Sequence, residues 1–114
     1  MIPATPAATK SLPTHIRPRG PRLDPRALRA FIEQCEQALT GATNAIVIDL
    51  SAIETIDSVA VTALVGVQRK AGRDRRVALA GLSSAVQLVA RVCHLHEIFE
   101  IYVSAEAATR ALSR

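Results

Sequence analysis

Apolar residues along this chain follow two patterns, one typical of helices and the other typical of buried strands. Between residues 24 and 41 they recur as on one face of a helix, at Leu28, Phe31, Ile32, Cys35 and Leu39. Asp24 followed by Pro25 is typical of a helix start, because the Asp side chain can cap free backbone donors and proline has none to satisfy. Gly41 is suited to a left-handed helix end. The pattern predicts an amphipathic helix with one buried stripe.

Two later segments are almost entirely apolar and show no alternation of apolar and polar residues. They are AIVIDL at residues 45–50 and VALA at residues 77–80. Runs of this kind without alternation are typical of strands that are covered on both faces. A shorter strand is predicted over residues 98–103. Residues 14–23 can form at most an irregular edge strand, because proline removes a backbone donor and fixes φ.

Residues 58–71 are rich in Ala, Leu and Val and predict a helix about 20 Å long, which Gly72 ends. Ser58 is the predicted N-cap of this helix. Its apolar residues almost encircle it, so we expect one side to pack on the sheet. The other side must then meet a second partner or present an exposed apolar strip.

Two further helices follow. Ser83 or Ser84 is the predicted N-cap of a helix that carries Cys93 at its end, and Gln87 is placed to close a capping box on Ser84. Ser104 begins a last helix. Because helices and strands alternate, the connections between strands are expected to be parallel crossovers. The predicted fold is α/β, a mixed or parallel sheet of about four strands covered by about four helices.

The chain has 114 residues, enough for one domain of ordinary size. Hydrophobic residues make up 49% and charged residues 21%, which is typical of a packed globular protein. All six prolines lie in the first 25 residues. We therefore expect residues 1–13 to be a disordered, basic, proline-rich tail and residues 14–114 to form a single domain.

The charge distribution bears on possible partners. Residues 1–30 hold six basic residues and one acidic residue, a net charge of +5, so the rest of the chain carries −1. The folded part is thus not basic, and aromatic residues are only 3%, so we expect no specific nucleic-acid binding. No apolar run is long enough to span a bilayer, and the N-terminus lacks a signal-peptide pattern. The chain is expected to be cytoplasmic, with no membrane insertion.

Candidates for chemistry are few. Cys35 and Cys93 are far apart and belong to no paired-cysteine motif, so both are predicted to be small buried hydrophobic residues. Asp49 and Asp57 are more typical of structural carboxylates than of a general acid and base pair. The sequence contains no nucleophile elbow and no phosphate-binding glycine loop. We expect no catalytic residue and no bound cofactor.

His94 and His96 are two positions apart. This spacing suits metal ligation on an extended strand, whereas on a helix it points the two rings apart. We expect residues 94–97 to be a structural turn and predict no metal site.

Four segments together resemble the pattern of a known family. They are AIVIDLS at 45–51, IDS at 56–58, VALAGLS at 77–83 and LHEIFEIY at 95–102. Their order and spacing resemble the STAS domain, which bacterial anti-sigma factor antagonists share with the cytoplasmic tails of sulfate transporters. The resemblance extends more weakly to the helix at 24–39 and implies a STAS-like α/β fold.

In antagonists of this family, the serine that follows the aspartate before the helix is phosphorylated by an anti-sigma factor that is also a kinase. The matching serine is Ser58, after Asp57. The resemblance implies that these two residues, with Val59, Val61 and Thr62, contact that partner. It also implies that the kinase brings ATP and magnesium and that a separate phosphatase removes the phosphate. The protein would then be a regulatory binding protein and not an enzyme.

The chain departs from the family pattern immediately after Ser58. The family commonly has Ser or Thr and then Gly there, where this chain has Val59 and Ala60. An alternative is therefore a STAS subunit of a membrane transport complex that docks on an ATPase subunit without phosphorylation. The basic residues of the N-terminal segment are also compatible with that alternative. The residues leave the oligomeric state open.

Overall fold

Four parallel strands form one sheet in chain order, β1-β2-β3-β4. The computed structural model describes residues 12–113. The strands are β1 (Thr14–Ile16), β2 (Ala45–Asp49), β3 (Arg76–Ala80) and β4 (Glu100–Tyr102). The central strands pair over five residues, from Ala45 opposite Arg76 to Asp49 opposite Ala80. The apolar runs were therefore predicted correctly as the buried centre of the sheet.

Helices connect successive strands, as the alternating pattern predicts, and a last helix follows β4. They are α1 (Pro25–Thr40), α2 (Ser58–Ala71), α3 (Ser84–Val92) and α4 (Ala105–Leu112), with a short 3-10 helix at Leu95–Glu97. The α/β prediction of about four strands and four helices is confirmed. Among the helices of the described chain, none has both the length and the apolar character needed to cross a lipid bilayer.

The two faces of the sheet pack against different helices. Ile46, Ile48 and Leu79 belong to the larger core, which α1, α2 and α3 complete. Val47 and Ala78, from alternate positions of the same strands, pack with α4 on the other face. Because successive side chains of a strand point to opposite faces, an unbroken apolar run supplies both cores.

The apolar residues of helix α2 pack on two sides, against the sheet and against helix α1. Its most buried residues are Ala60, Leu64, Val67 and Ala71. On other sides of the helix, Val61 and Val65 are half-buried against the same core. Helix α1 packs beside α2, so part of the strip away from the sheet is covered from within the molecule.

Three predicted helix ends need correction. Helix α1 ends at Gly41 as predicted, but Gly41 has φ −88° and ψ −167°, an extended conformation and not a left-handed one. Helix α3 is capped by Ser83, whose hydroxyl accepts from Val86 N–H. The predicted capping box on Ser84 is wrong, because the Gln87 side-chain amide instead donates to the Leu82 carbonyl. The predicted cap of α2 at Ser58 is also wrong, because Asp57 caps that helix.

The prediction that both cysteines are buried is correct for Cys35 and wrong for Cys93, which is exposed. Helix α3 ends at Val92, so Cys93 no longer follows the buried positions of that helix. Burial raises the pKa of the Cys35 thiol to about 12, with a smaller contribution from the neighbouring Glu36 charge. The Cys35 thiol therefore stays protonated at neutral pH.

Both edge strands are short. Strand β1 has three residues, within the segment where only an irregular edge strand was expected, and Pro13 immediately before it is buried. Strand β4 also has three residues, fewer than predicted, because Ile98 and Phe99 belong to the end of the preceding turn. The predicted tail falls largely on residues 1–11, which lie outside the described residues.

Candidate functional site at the start of helix α2

The connection from β2 to α2 leaves the carboxyl edge of the sheet and is anchored at several points. Leu50 N–H donates to the Ala80 carbonyl over 2.8 Å, which continues the pairing of the central strands. Ile53 and Ile56 are buried, 1% and 8% exposed. These contacts hold the connection against the core, so that the residues after Ile56 lie at the surface.

Asp57 is the N-cap of α2. One carboxylate oxygen accepts the Ala60 N–H at 2.9 Å, and the Asp57 carbonyl accepts the Val61 N–H at 3.0 Å. The backbone of Asp57 is extended, as an N-cap requires. The prediction that Ser58 is the N-cap is therefore wrong. The carboxylate one position earlier satisfies the backbone donor, and Ser58 becomes the first helical residue.

Ser58 presents an exposed hydroxyl at this first helical position. Within residues 12–113, the Ser58 hydroxyl takes part in no hydrogen bond, whereas its backbone carbonyl accepts from the Thr62 hydroxyl at 2.9 Å. The N–H groups of Ser58 and Val59 have no acceptor within α2, because the first N–H groups of a helix lack one. An exposed hydroxyl thus lies beside free backbone donors.

The other predicted contact residues divide into two groups. Val59 is 63% exposed, and Thr62 is exposed one turn further along the helix. Val61 is only half-buried against the core, and Ala60 is fully buried. The structure therefore brings Asp57, Ser58, Val59 and Thr62 together on one surface, and the Ala60 methyl group does not reach that surface.

A groove between α1 and the start of α2 extends this surface. Its volume is about 500 Å³, and Asp57 and Val59 contribute to its lining. Leu23, two residues before α1, also lines the groove, and the other lining residues belong to α1: Pro25, Leu28, Arg29, Ile32, Glu33 and Glu36. The spacing of α1 predicts Ile32 in the buried stripe, but Ile32 is only half-buried. Nothing in the sequence places α1 beside α2, so the groove could not be predicted.

A second connection supports the loop before Ser58. The Ser83 hydroxyl donates to the Glu54 carbonyl at 3.0 Å while it caps α3. Glu54 N–H donates to the Pro21 carbonyl at 2.8 Å. The loop is therefore tied to both of its neighbours at the carboxyl edge of the sheet. The hydroxyl of Ser83 predicts a cap, but its contact with Glu54 depends on the packed fold.

Asp49 has a different position from Asp57. It is half-buried at the end of β2, and its carboxylate accepts the Ser51 N–H at 3.0 Å. The Asp49 carboxylate therefore stabilises the start of the connection, whereas the Asp57 carboxylate caps the helix that follows it.

Residues 16–102 match a family model described as "Mlab, STAS domain". The match covers about three quarters of the chain and includes the whole site. The chain belongs to the STAS domain family. This STAS domain matches no curated protein sequence with statistical significance.

Several solved structures of anti-sigma factor antagonists are similar to this chain. The anti-sigma factor antagonist SpoIIAA in its unphosphorylated form is 25% identical with a TM-score of 0.70, over 89% of this chain and 90% of that one. An anti-sigma factor antagonist (STAS) domain protein from Planctomyces limnophilus is also 25% identical, with a TM-score of 0.70 and 79% of each chain covered.

An anti-sigma factor antagonist from Mycobacterium paratuberculosis is 22% identical and has a TM-score of 0.79, over 88% of this chain and 85% of that one. At this identity the likeness shows the shared fold. The sheet and helices of this STAS domain are therefore those of structures described as anti-sigma factor antagonists.

Proposed function

We propose that this STAS domain is a regulatory protein of the anti-sigma factor antagonist type, which binds an anti-sigma factor and is controlled by phosphorylation of Ser58. The observation that carries the proposal is the exposed Ser58 hydroxyl at the first position of α2. Its position after Asp57 matches the phosphorylated serine that the family resemblance implies. The similarity to antagonist structures supports the same role.

The proposed partner surface combines the start of α2 with the groove beside α1. Val59 supplies an exposed apolar contact, and it lines the groove together with Leu28 and Ile32 of α1. Arg29 and Glu33 add charges of both signs to the lining. An apolar centre with charged surroundings is the usual composition of a protein interface. The proposed occupant is an anti-sigma factor that is also a serine kinase.

A phosphate on Ser58 is compatible with the fold. It adds about −1.5 to −2 charge at pH 7, and the start of a helix favours an anion through its free N–H groups. Binding is affected differently, because the dianion lies beside the Asp57 carboxylate and must lose water in the interface. Charge repulsion and desolvation of this kind cost about 2 to 5 kcal/mol. Phosphorylation would then release the partner and leave the domain folded.

In this proposal the STAS domain is the substrate of phosphoryl transfer and not its catalyst. The kinase supplies ATP and magnesium, and a separate phosphatase restores the hydroxyl. The cycle takes place in the cytoplasm, where anti-sigma factors act. No group of this chain is required to bind a nucleotide.

The phosphorylation site can be tested with a matched control. Ser84 is the first residue of α3 and is exposed, as Ser58 is the first residue of α2. The protein would be incubated with the switch-type serine kinases of its own genome and ATP, and the modified residue located by mass spectrometry. We expect one phosphoryl group on Ser58, none on Ser58→Ala, and normal modification of Ser84→Ala. Modification of another residue would contradict the switch.

The second candidate function is docking on an ATPase subunit of a membrane transport complex without phosphorylation. It is favoured by Val59, which places a 63% exposed apolar side chain where the family commonly has Ser or Thr. An apolar residue at this position favours permanent docking on a partner over an interaction that phosphorylation interrupts. This candidate predicts that none of the kinases modifies the protein and that Ser58→Asp still binds its partner.

A further inference from the structure

Three potential metal ligands meet at the end of α3. They are His94, His96 and Glu97, and their donor atoms all lie within 4.8 Å of one another. His94 Nδ1 is 3.1 Å from Glu97 Oε2, and His96 Nε2 is 3.8 Å from the same oxygen. The imidazole ring centroids are 5.9 Å apart. The cluster therefore offers two nitrogens and one oxygen around a single point.

The backbone explains why the two rings converge. His94 is in the left-handed conformation, with φ 59° and ψ 33°, and a 3-10 helix follows at Leu95–Glu97. On a regular strand or an α-helix, two residues at this spacing would not hold both rings beside Glu97 in this way. The change of backbone conformation at His94 brings them together.

Buried residues anchor the turn that carries these side chains in the core. Leu95 and Phe99 are buried, 1% and 4% exposed. Phe99 N–H donates to the Leu95 carbonyl at 2.8 Å, and Glu97 N–H donates to the His94 carbonyl at 3.1 Å. A ligand set on an anchored turn loses less freedom on binding a metal than one on a mobile segment.

We propose that His94, His96 and Glu97 form a zinc-binding site. Imidazole nitrogen and carboxylate oxygen are common zinc ligands at about 2.0–2.2 Å, so neighbouring ligands of a tetrahedral ion lie about 3.4 Å apart. The separations of 3.1 and 3.8 Å lie on either side of this value. Two imidazoles and only one carboxylate favour zinc over calcium or magnesium, which prefer oxygen ligands. The fourth position is open to water or to a donor from another molecule.

The site is independent of the proposed switch. The end of α3 and the start of β4 lie at the amino edge of the parallel sheet, whereas Ser58 follows a connection from the carboxyl edge. All three ligands are exposed, so zinc can reach them from solvent without opening the fold. The outcome of a zinc experiment therefore leaves the phosphorylation proposal unaffected, and the reverse also holds.

The test is zinc titration by calorimetry, together with elemental analysis after dialysis against zinc and then zinc-free buffer. The ligand variants are His94→Asn, which tolerates the left-handed backbone, His96→Ala and Glu97→Gln. We expect saturation at one zinc ion per chain and an affinity loss of at least about tenfold in each variant, since even indirect changes around a zinc site cost that much. Native circular dichroism would confirm that each variant folds.

Two control variants identify the ligands. His15→Ala removes the other histidine, which bonds the Thr109 hydroxyl at the far edge of the sheet, and Cys93→Ser removes the exposed thiol next to the site. Both controls should bind zinc as the unmodified protein does. Zinc should also shift the imidazole NMR signals of His94 and His96 and leave those of His15 in place. Absence of saturable binding, or loss of binding in either control alone, would overturn the proposal.

Discussion

Asp57 and Ser58 are adjacent polar residues at the start of α2 with separate tasks. The Asp57 carboxylate caps the helix through Ala60 N–H, and this leaves the Ser58 hydroxyl exposed at the next position. Asp and Ser are about equally good N-caps, so residue preference alone cannot decide between them. The sequence therefore predicts the helix start correctly and assigns the cap to the wrong one of two neighbours.

This division of tasks predicts the effect of removing the cap. Asp57→Ala should lower the free energy of unfolding by about 0.5–2 kcal/mol, because the Ala60 N–H loses its acceptor. Asp57→Asn keeps an oxygen at that place and should remain close to the unmodified protein. Urea denaturation followed by circular dichroism measures both. Equal stability of Asp57→Ala and the unmodified protein would show that the carboxylate does not cap the helix.

A second group of residues joins the last two strands. Both oxygens of the Glu100 carboxylate accept from the Arg76 guanidinium, at 2.8 and 2.5 Å, and one also accepts the Tyr102 hydroxyl at 2.6 Å. Hydrogen bonding from Arg76 holds the pKa of Glu100 below its usual value, with a smaller contribution from Tyr102. A carboxyl group with a lowered pKa stabilises the folded state only while it is ionised.

The stability contributed by Glu100 should therefore depend on pH. It is fully present above the ordinary glutamate pKa of 4.5 and is lost as pH falls from there through the lowered pKa of the folded state. Glu100→Gln should be less stable than the unmodified protein at pH 7, and the difference should shrink below pH 4.5. Urea denaturation across this range measures the difference. A difference that stays constant with pH would contradict the assigned role.

Among the helices and strands, the predicted bounds agree best with the structure for the elements that are most buried. Strands β2 and β3 and helix α2 were predicted almost to the residue, because their apolar positions are set by contacts on several sides. The ends of elements at the edges were less predictable. Cys93 continues the apolar pattern of α3, yet the helix ends at Val92 and leaves it exposed. The turn that follows a helix decides at which residue the helix ends. The apolar pattern of the helix carries no information about that turn.

The two-sided burial of β2 predicts a strong effect of charge at its centre. Val47 is fully buried against α4, so Val47→Asp would bury a carboxylate without a partner, and we expect no cooperatively folded protein. Val103→Asp is the matched control, since Val103 is 90% exposed and the same change should leave the fold intact. Thermal unfolding followed by circular dichroism distinguishes them. Cooperative unfolding of Val47→Asp would contradict the assignment of β2 as a central strand.

At the scale of the whole molecule, the parallel topology gathers the site at one edge of the sheet. The connections after β2 and β3 leave the same carboxyl edge and touch where the Ser83 hydroxyl meets the Glu54 carbonyl. The groove beside Val59 arises because α1 packs against α2. The segment that carries Ser58 could be predicted from the residue pattern, whereas the surrounding surface depends on contacts between elements distant in the chain.

In the proposed switch, a negative charge at Ser58 releases the partner while the domain stays folded. The most direct measurement is the affinity of the cognate anti-sigma factor for Ser58→Asp and for Ser84→Asp, by calorimetric titration. We expect native circular dichroism for both variants and normal affinity for Ser84→Asp. The affinity of Ser58→Asp should be lower by about one to several powers of ten. Equal affinity of the two variants for the partner would contradict it.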